Sequence, residues 1–322
     1  MITGSLDLPR LRLAATPTPV QRADQLAVAL GLGQGRLWVK RDDLTGLAGG
    51  GTKARRFEYL CADALHHGCD TLVTGGGEQS NHVRLAAAAA GRVGLRCVLV
   101  MGAERPSRPQ GNVLLAHLAG ARFVWLGEVG QDATERAVGA VAAAEEADGA
   151  RPYAVPINGP GSVADLGSVA LAAELHEQLG DVDRVVLAFA TGSTMAGLAV
   201  GIGSFDRLHG IDTGVQADPL EAVGAKAVRI AALAGRPRPD GRPHIDRSQV
   251  GAGYDDPPPA AEAAITLAAR TEGLVLDPIY TARAVAGLGD AVRRGAIDPD
   301  ERIVLLHTGG QPALFTVRNE RW

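Results

Sequence analysis

Between residues 71 and 148, short apolar runs alternate with longer segments of helical period, and this alternation limits the fold more than anything else in the chain. Strands are expected at 71–74, 96–101 and 122–126, with helices near 54–67 and at 81–92, 110–119 and 130–148. Each helix must carry the chain back across the sheet, so the strands it joins run parallel. The rhythm returns later, with helices at 163–180, 259–272 and 281–295 and strands at 184–190, 274–276 and 303–307. Earlier, Val20 to Leu30 has helical spacing after the rigid Thr16-Pro17-Thr18-Pro19, and Trp38-Val39-Lys40 reads as a strand end. Pro156 to Gly161 reads as a loop and a lobe crossing, and Gly235 to Pro243 as an exposed loop. No fixed-period repeat is present.

Two joints in this series share one design. Lys40-Arg41-Asp42-Asp43-Leu44-Thr45-Gly46 runs through a glycine-rich turn, and Lys53 then opens a helix. The second joint passes from Thr71-Leu72-Val73-Thr74 through Gly75-Gly76-Gly77 to Glu78-Gln79-Ser80-Asn81-His82, at the head of an alanine-rich helix. Strand–glycine–helix joints place side chains and free N–H groups at the carboxyl edge of a sheet, where open α/β folds bind ligands.

Composition closes off other classes. The chain has 322 residues, beyond the ~250–300 at which single cores stop growing, so two lobes are expected. A net charge of −4 and the lack of any basic run argue against nucleic acid as a partner. Met1 to Asp7 lacks the charged and apolar regions of a signal peptide, and no stretch of about 18 apolar residues could span a membrane. Cys61, Cys69 and Cys97 form no disulfide framework, so a reducing cytoplasm is expected.

Each candidate residue has a plain reading beside a chemical one. A lysine at a helix start is commonly solvated, yet the helix dipole disfavours its charge there, which helps an amine that must be neutral to attack an aldehyde. The Gly46–Lys53 run is not a P-loop, because Thr52 precedes Lys53 where that motif needs the hydroxyl to follow. Ser80 or Asn81 reads as an N-cap, and the same geometry presents donors to a carboxylate. Thr191-Gly192-Ser193-Thr194 follows a strand and is either an ordinary βα turn or a phosphate cup of backbone N–H groups. Tyr254 and Tyr280 read from the residues alone as core tyrosines with satisfied hydroxyls before they read as site residues, and a histidine placed like His307 is often structural. Cys61, His66, His67 and Cys69 lack the spacing of a zinc site, so no metal is expected. Glu145-Glu146 and Asp255-Asp256 read as solvated charge.

The chain resembles the D-cysteine desulfhydrase/ACC deaminase family of pyridoxal 5′-phosphate (PLP) enzymes, which have the tryptophan synthase β-like fold, type II. The resemblance rests on Lys40-Arg41-Asp42-Asp43-Leu44-Thr45-Gly46 with Lys53, Gln79-Ser80-Asn81-His82, the Thr191–Gly197 loop, Leu276-Asp277-Pro278-Ile279-Tyr280-Thr281 and His307-Thr308-Gly309-Gly310. It implies two α/β lobes, a larger one of 1–55 plus 161–322 and a smaller one of 56–160, with the active site in the cleft between them, and a homodimer. It implies PLP bonded to Lys53, Asn81 beside the ring hydroxyl, Thr191, Gly192, Ser193 and Thr194 around the phosphate, and Thr308 at the pyridine nitrogen. Ser80, Asn81, His82 and Glu78 would meet the substrate, with Ser80, Tyr280 and Tyr254 as acid/base or orienting groups. The reaction implied is β-elimination from a small amino acid such as D-cysteine, giving a 2-oxo acid and ammonia. Opening of the ACC ring is the alternative, against which His82 and Thr281 speak. A PLP-binding carrier or sensor is a third reading, which the presence of the lysine, serine and tyrosines disfavours.

The chain departs from the family pattern at Thr52, where Asn is usual, at Glu78, and through Gly251 to Asp256. Glu78 and Asp255, if they face substrate, would suit a polar or cationic side chain over an anionic one, as in a relative with altered substrate in specialised metabolism.

Overall fold

The computed structural model describes residues 8–157 and 161–316. The strands among the described residues are β1 (Val20–Arg22), β2 (Leu37–Arg41), β3 (Thr71–Gly76), β4 (Arg96–Met101), β5 (Arg122–Trp125), β6 (Pro152–Ala154), β7 (Arg184–Phe189), β8 (Leu208–Asp212), β9 (His244–Asp246) and β10 (Ile303–His307). The α-helices among the described residues are α1 (Asp24–Ala29), α2 (Lys53–His66), α3 (Asn81–Val93), α4 (Gly111–Leu118), α5 (Gln131–Ala147), α6 (Leu166–Leu179), α7 (Ser193–Ile202), α8 (Pro219–Leu233), α9 (Pro259–Glu272) and α10 (Thr281–Arg293).

Two compact units divide these elements. One holds the described parts of Thr16–Thr45 and Pro160–Gln311, and the other those of Asp7–Ala15, Gly46–Gly159 and Pro312–Trp322. The first contains a six-stranded sheet in the order β1-β2-β10-β7-β8-β9. All its pairings are parallel except β1 with β2. Val185, Val186, Leu187, Val304 and Leu305 form the centre of this sheet and are buried. Gly287 lets α10 press onto it, since a Cβ there would lie 2.6 Å from Ile211. The second unit has a parallel four-stranded sheet, β5-β4-β3-β6, with Val73, Val98 and Val100 packed on Val138 and Ala142 of α5.

The unit boundaries differ from the 1–55/56–160/161–322 division: the turn from Gly46 onward clusters with the smaller sheet, as do the described residues 8–15 and 312–316. The reason is visible in the contacts, because Arg84 of α3 holds the carbonyls of Ala48 and Gly50, and Glu58 of α2 accepts from the amides of Leu13 and Ala14. Two expected elements change. Val20–Arg22 is a strand and not the start of a helix, because it pairs with β2 in register from Val20↔Lys40 to Arg22↔Trp38, and the helix begins only at Asp24. Residues 274–276 form no strand; Leu274 and Leu276 are fully buried, but the Val275 carbonyl accepts from the His307 ring instead of from a ladder. Residues 158–160 of the expected crossing, and Met1 to Asp7, lie outside the described residues. No helix among the described residues is long and apolar enough to cross a membrane.

Candidate active site

Lys53 is the first residue of α2 and is partly exposed. The turn before it is backbone-driven: Gly46, Gly49, Gly50 and Gly51 all have positive φ, and Ala48, which has a Cβ, sits at φ 44° and ψ 49°. Left-handed backbone costs a non-glycine residue about 1–2 kcal/mol, so something must hold Ala48 there. That residue is Arg84, fully buried on α3, which donates to the carbonyls of Ala48 (2.5 Å) and Gly50 (2.9 Å).

The same guanidinium reaches the serine joint. It donates to Asn81 Oδ1 at 3.2 Å and, through Nε, to Asn112 Oδ1 at 2.7 Å, while Asn112 Nδ2 donates to Asn81 Oδ1 at 3.2 Å and to the Gln79 carbonyl at 2.7 Å. Two donors on Oδ1 orient the Asn81 amide so that its N–H groups point away from Arg84 and Asn112. Ser80 is the N-cap of α3, its Oγ accepting from the His82 amide at 3.2 Å, so the plain capping reading holds and the hydroxyl proton is left for another acceptor. His82 lies 5.1 Å from the Phe57 ring, with Nε2 2.9 Å from Thr74 Oγ1. Burial, then the charges of Arg56 and Lys53, hold it well below the usual histidine range, so it is neutral at neutral pH. Gly75 and Gly76 bring this joint close to the sheet: a Cβ at Gly75 would lie 2.5 Å from the Val100 carbonyl, and one at Gly76 2.9 Å from Ser80 Oγ. Glu78 is partly buried beside Gln79, whereas Asp255 and Asp256 are exposed.

In the larger unit, Thr191 and Gly192 join β7 to α7. Gly192 has φ 84° and its missing Cβ would press on the Phe189 ring at 3.1 Å. No side chain caps α7, so its first N–H groups are left for an anion. Thr191 Oγ1 lies 3.5 Å from Ser193 Oγ, and Thr194 is partly exposed in the first turn.

Tyr254 and Tyr280 are hydrogen-bonded hydroxyl to hydroxyl, with rings edge-on at 5.9 Å. Both phenols are pushed up, Tyr254 to about 12 and Tyr280 well above the ordinary value, chiefly by burial. They are therefore proton donors at neutral pH, which narrows the expected acid/base role to the acid side. Two residues that the sequence reading passed over place them. Asp277, fully buried, accepts from the amides of Ile279, Tyr280 and Thr281 and from Thr281 Oγ1, at 2.7–3.0 Å. Arg283, also buried, donates to the carbonyls of Thr213 (2.6 Å), Gly253 (2.7 Å) and Tyr254 (3.0 Å). Asp277 stood in the motif from Leu276 to Thr281 with no role given to it, and Arg283 showed only as an arginine on an otherwise small-residue helix.

Thr308 follows β10 and is partly exposed. His307 beside it is a structural group: Nδ1 accepts from the Gly309 amide at 3.3 Å, so Nε2 carries the proton toward the Val275 carbonyl at 3.2 Å. Lys40 and Asp42 of the first motif are scaffold as well. Lys40 is buried against Glu174, the Thr18 carbonyl and Gln178, and Asp42 accepts from Thr18 Oγ1 at 2.8 Å.

These groups suit a phosphorylated aldehyde cofactor: an amine at a helix head, an amide whose donors are oriented by Arg84, and an uncapped, glycine-lined helix start for a dianion. The amine and the amide belong to the unit with the four-stranded sheet, and the uncapped helix start belongs to the unit with the six-stranded sheet. The sequence model of the family described as pyridoxal-phosphate dependent enzymes matches residues 11–309, and the chain belongs to that family. It is 38% identical to the D-cysteine desulfhydrase of Yersinia pestis (strain Pestoides F) over 322 residues, covering 95% of each chain. It is 37% identical to that of Klebsiella pneumoniae (strain 342) over 321 residues, again 95% of each. Among solved structures, an ACC deaminase homologue superposes with a TM-score of 0.88 at 30% identity, covering 96% of this chain and 94% of the other. Threonine deaminase isoform 2 from Solanum lycopersicum, at 18% identity and a TM-score of 0.66 over 92% and 80%, shares the fold. The architecture is thus the type II PLP fold, and the cofactor is PLP.

Proposed function

We propose that this chain is a PLP-dependent lyase that eliminates a β leaving group from a small amino acid, with D-cysteine as substrate and sulfide, a 2-oxo acid and ammonia as products. The observation that carries this reading is the Arg84-ordered pairing of the Lys53 turn with Ser80 and Asn81, in a chain that aligns over 95% of its length with D-cysteine desulfhydrases.

PLP, when bound, supplies the electron sink that makes the Cα–H of an attached amino acid acidic. Lys53 would hold the cofactor through its Nζ, and the same amine would take the Cα proton of the substrate. The Asn81 amide donates to the ring hydroxyl. The Ser80 hydroxyl and the first N–H groups of α3 receive the substrate carboxylate, with neutral His82 and Glu78 beside it. The N–H groups of Thr191 to Thr194 hold the phosphate, and Thr308 meets the ring nitrogen. Tyr280, with Tyr254 as its hydrogen-bond partner, gives a proton to the departing sulfur. A protonated phenol of raised pKa suits that donor role better than that of a base. Ring opening of ACC is the weaker alternative, since the Thr281 hydroxyl is occupied with Asp277 and offers no acid at that position.

We place the enzyme in the cytoplasm, in keeping with its free Cys61, Cys69 and Cys97, and as a homodimer, for which exposed apolar residues such as Leu118 (72%) and Leu220 (54%) supply surface.

The test is the visible absorbance of the PLP-loaded protein before and after D-cysteine, L-cysteine and ACC, with Lys53→Ala in parallel and 2-oxo acid release assayed. The expected result is a band lost in Lys53→Ala, perturbed by D-cysteine and accompanied by sulfide and pyruvate. A band unchanged in Lys53→Ala, or 2-oxobutanoate from ACC without turnover of D-cysteine, would refute the assignment.

A further inference from the structure

Arg84 is a buried cation that has no counter-charge among the described residues. Its four partners are the Ala48 and Gly50 carbonyls and the amide oxygens of Asn81 and Asn112. Among the described residues no carboxylate comes within ion-pair distance of it, and burial alone lowers it to about 10. Burying a charge against neutral dipoles costs several kcal/mol even after relaxation, and a fold keeps such a group where a negative charge offsets it.

We infer that Arg84 is a positioning residue for the cofactor: it holds the Ala48–Gly50 backbone and the Asn81 amide in their ligand-facing arrangement, and its uncompensated charge favours the anionic state of the group that Asn81 contacts. This rests on the reading of Lys53 and Asn81 as cofactor residues. Two functions follow from one guanidinium. Its fork spans two carbonyls of a turn that contains a left-handed alanine, which a lysine cannot do. Its charge lowers the pKa of cationic or neutral acids nearby, so the cofactor is kept in the less protonated form.

The experiment compares wild type, Arg84→Lys, Arg84→Gln, Asn112→Asp and Asn112→Leu as PLP-loaded proteins. The readouts are the dissociation constant for PLP and the pH midpoint of the visible band. Asn112→Asp places a carboxylate where Arg84 Nε now meets an amide oxygen at 2.7 Å, cancelling the charge while the arginine stays, and Asn112→Leu, which loses the same Nδ2 donor to Asn81 and Gln79 without adding charge, is its control and is expected to leave the midpoint within a few tenths of wild type. Arg84→Gln and Asn112→Asp are expected to raise the midpoint by roughly one pH unit and to weaken PLP binding about tenfold or more. Arg84→Lys, which retains charge and loses the fork, is expected to weaken binding while leaving the midpoint within a few tenths of wild type. If Arg84→Gln fails to fold, Asn112→Asp and its control decide. Arg84→Gln and Asn112→Asp proteins that bind and titrate as wild type does overturn the inference, and so does a midpoint shift in Arg84→Lys equal to that in Arg84→Gln, or one in Asn112→Leu equal to that in Asn112→Asp. A wild-type chain without the band overturns the placement of the cofactor, and with it the role of Arg84.

Discussion

Gly310→Ala should be among the most damaging single-methyl changes in this protein, and the structure says by how much. Gly310 is buried with φ 99°, and an ideal Cβ there would lie 2.6 Å from Asp277 Cγ, 2.7 Å from its Cβ and 2.8 Å from Oδ1. The backbone conformation alone costs an alanine about 1–2 kcal/mol. The clash adds about 1–3 kcal/mol, because Asp277 cannot retreat without loosening its bonds to the amides of Ile279, Tyr280 and Thr281. The total, about 2–5 kcal/mol, is a large part of a typical stability of 5–15 kcal/mol. At roughly 1.5 °C per kcal/mol for a chain of 322 residues, the melting temperature followed by circular dichroism should fall by about 3–7 °C. The decisive assay is a double-mutant cycle. In Asp277→Gly all three obstructing atoms are gone, so adding Gly310→Ala should cost only about 1–2 kcal/mol, for a coupling of about 1–3 kcal/mol. Additive effects of the two substitutions, or a Gly310→Ala protein that melts within 2 °C of wild type, would refute the steric argument.

Other outcomes follow from buried charge and from the tyrosines. All four tyrosines, Tyr59, Tyr153, Tyr254 and Tyr280, are pushed up, with burial the largest cause in each, so phenolate absorbance at 295 nm should stay flat through pH 10 and rise only near unfolding. The folded state holds these protons where the unfolded chain has lost them, so stability is full below about pH 10 and falls as pH rises above it; a normal titration near pH 10 in the folded protein would contradict the burial. Glu174→Ala should destabilise by about 3–5 kcal/mol, because it strips fully buried Lys40 of its carboxylate, and a urea midpoint close to that of wild type would show the charge to be compensated by Gln178 and the Thr18 carbonyl.

The parts of this protein that could be read from its sequence are those set by local chemistry. Periodicity placed β4, α9 and β10 to the residue, and glycine and N-cap signals placed the Lys53 and Ser80 joints, because turns and helix heads depend on a few neighbouring residues. Sequence by itself also pointed to the lysine and to the PLP family. Only the tertiary structure decided what depends on partners distant along the chain. Val20–Arg22 became a strand because β2 offered an edge, and Leu274 to Leu276 did not, since the histidine of β10 took its carbonyl. The motif beginning at Lys40 proved to be scaffold, its charges closed by Thr18 and Glu174. Arg84, Asn112 and Arg283 looked like ordinary helix residues, and Asp277 like a motif residue without a task, until the fold buried them. Desolvation made their hydrogen bonds obligatory, and so made them the residues that hold Asn81, the lysine turn and the tyrosine pair in place.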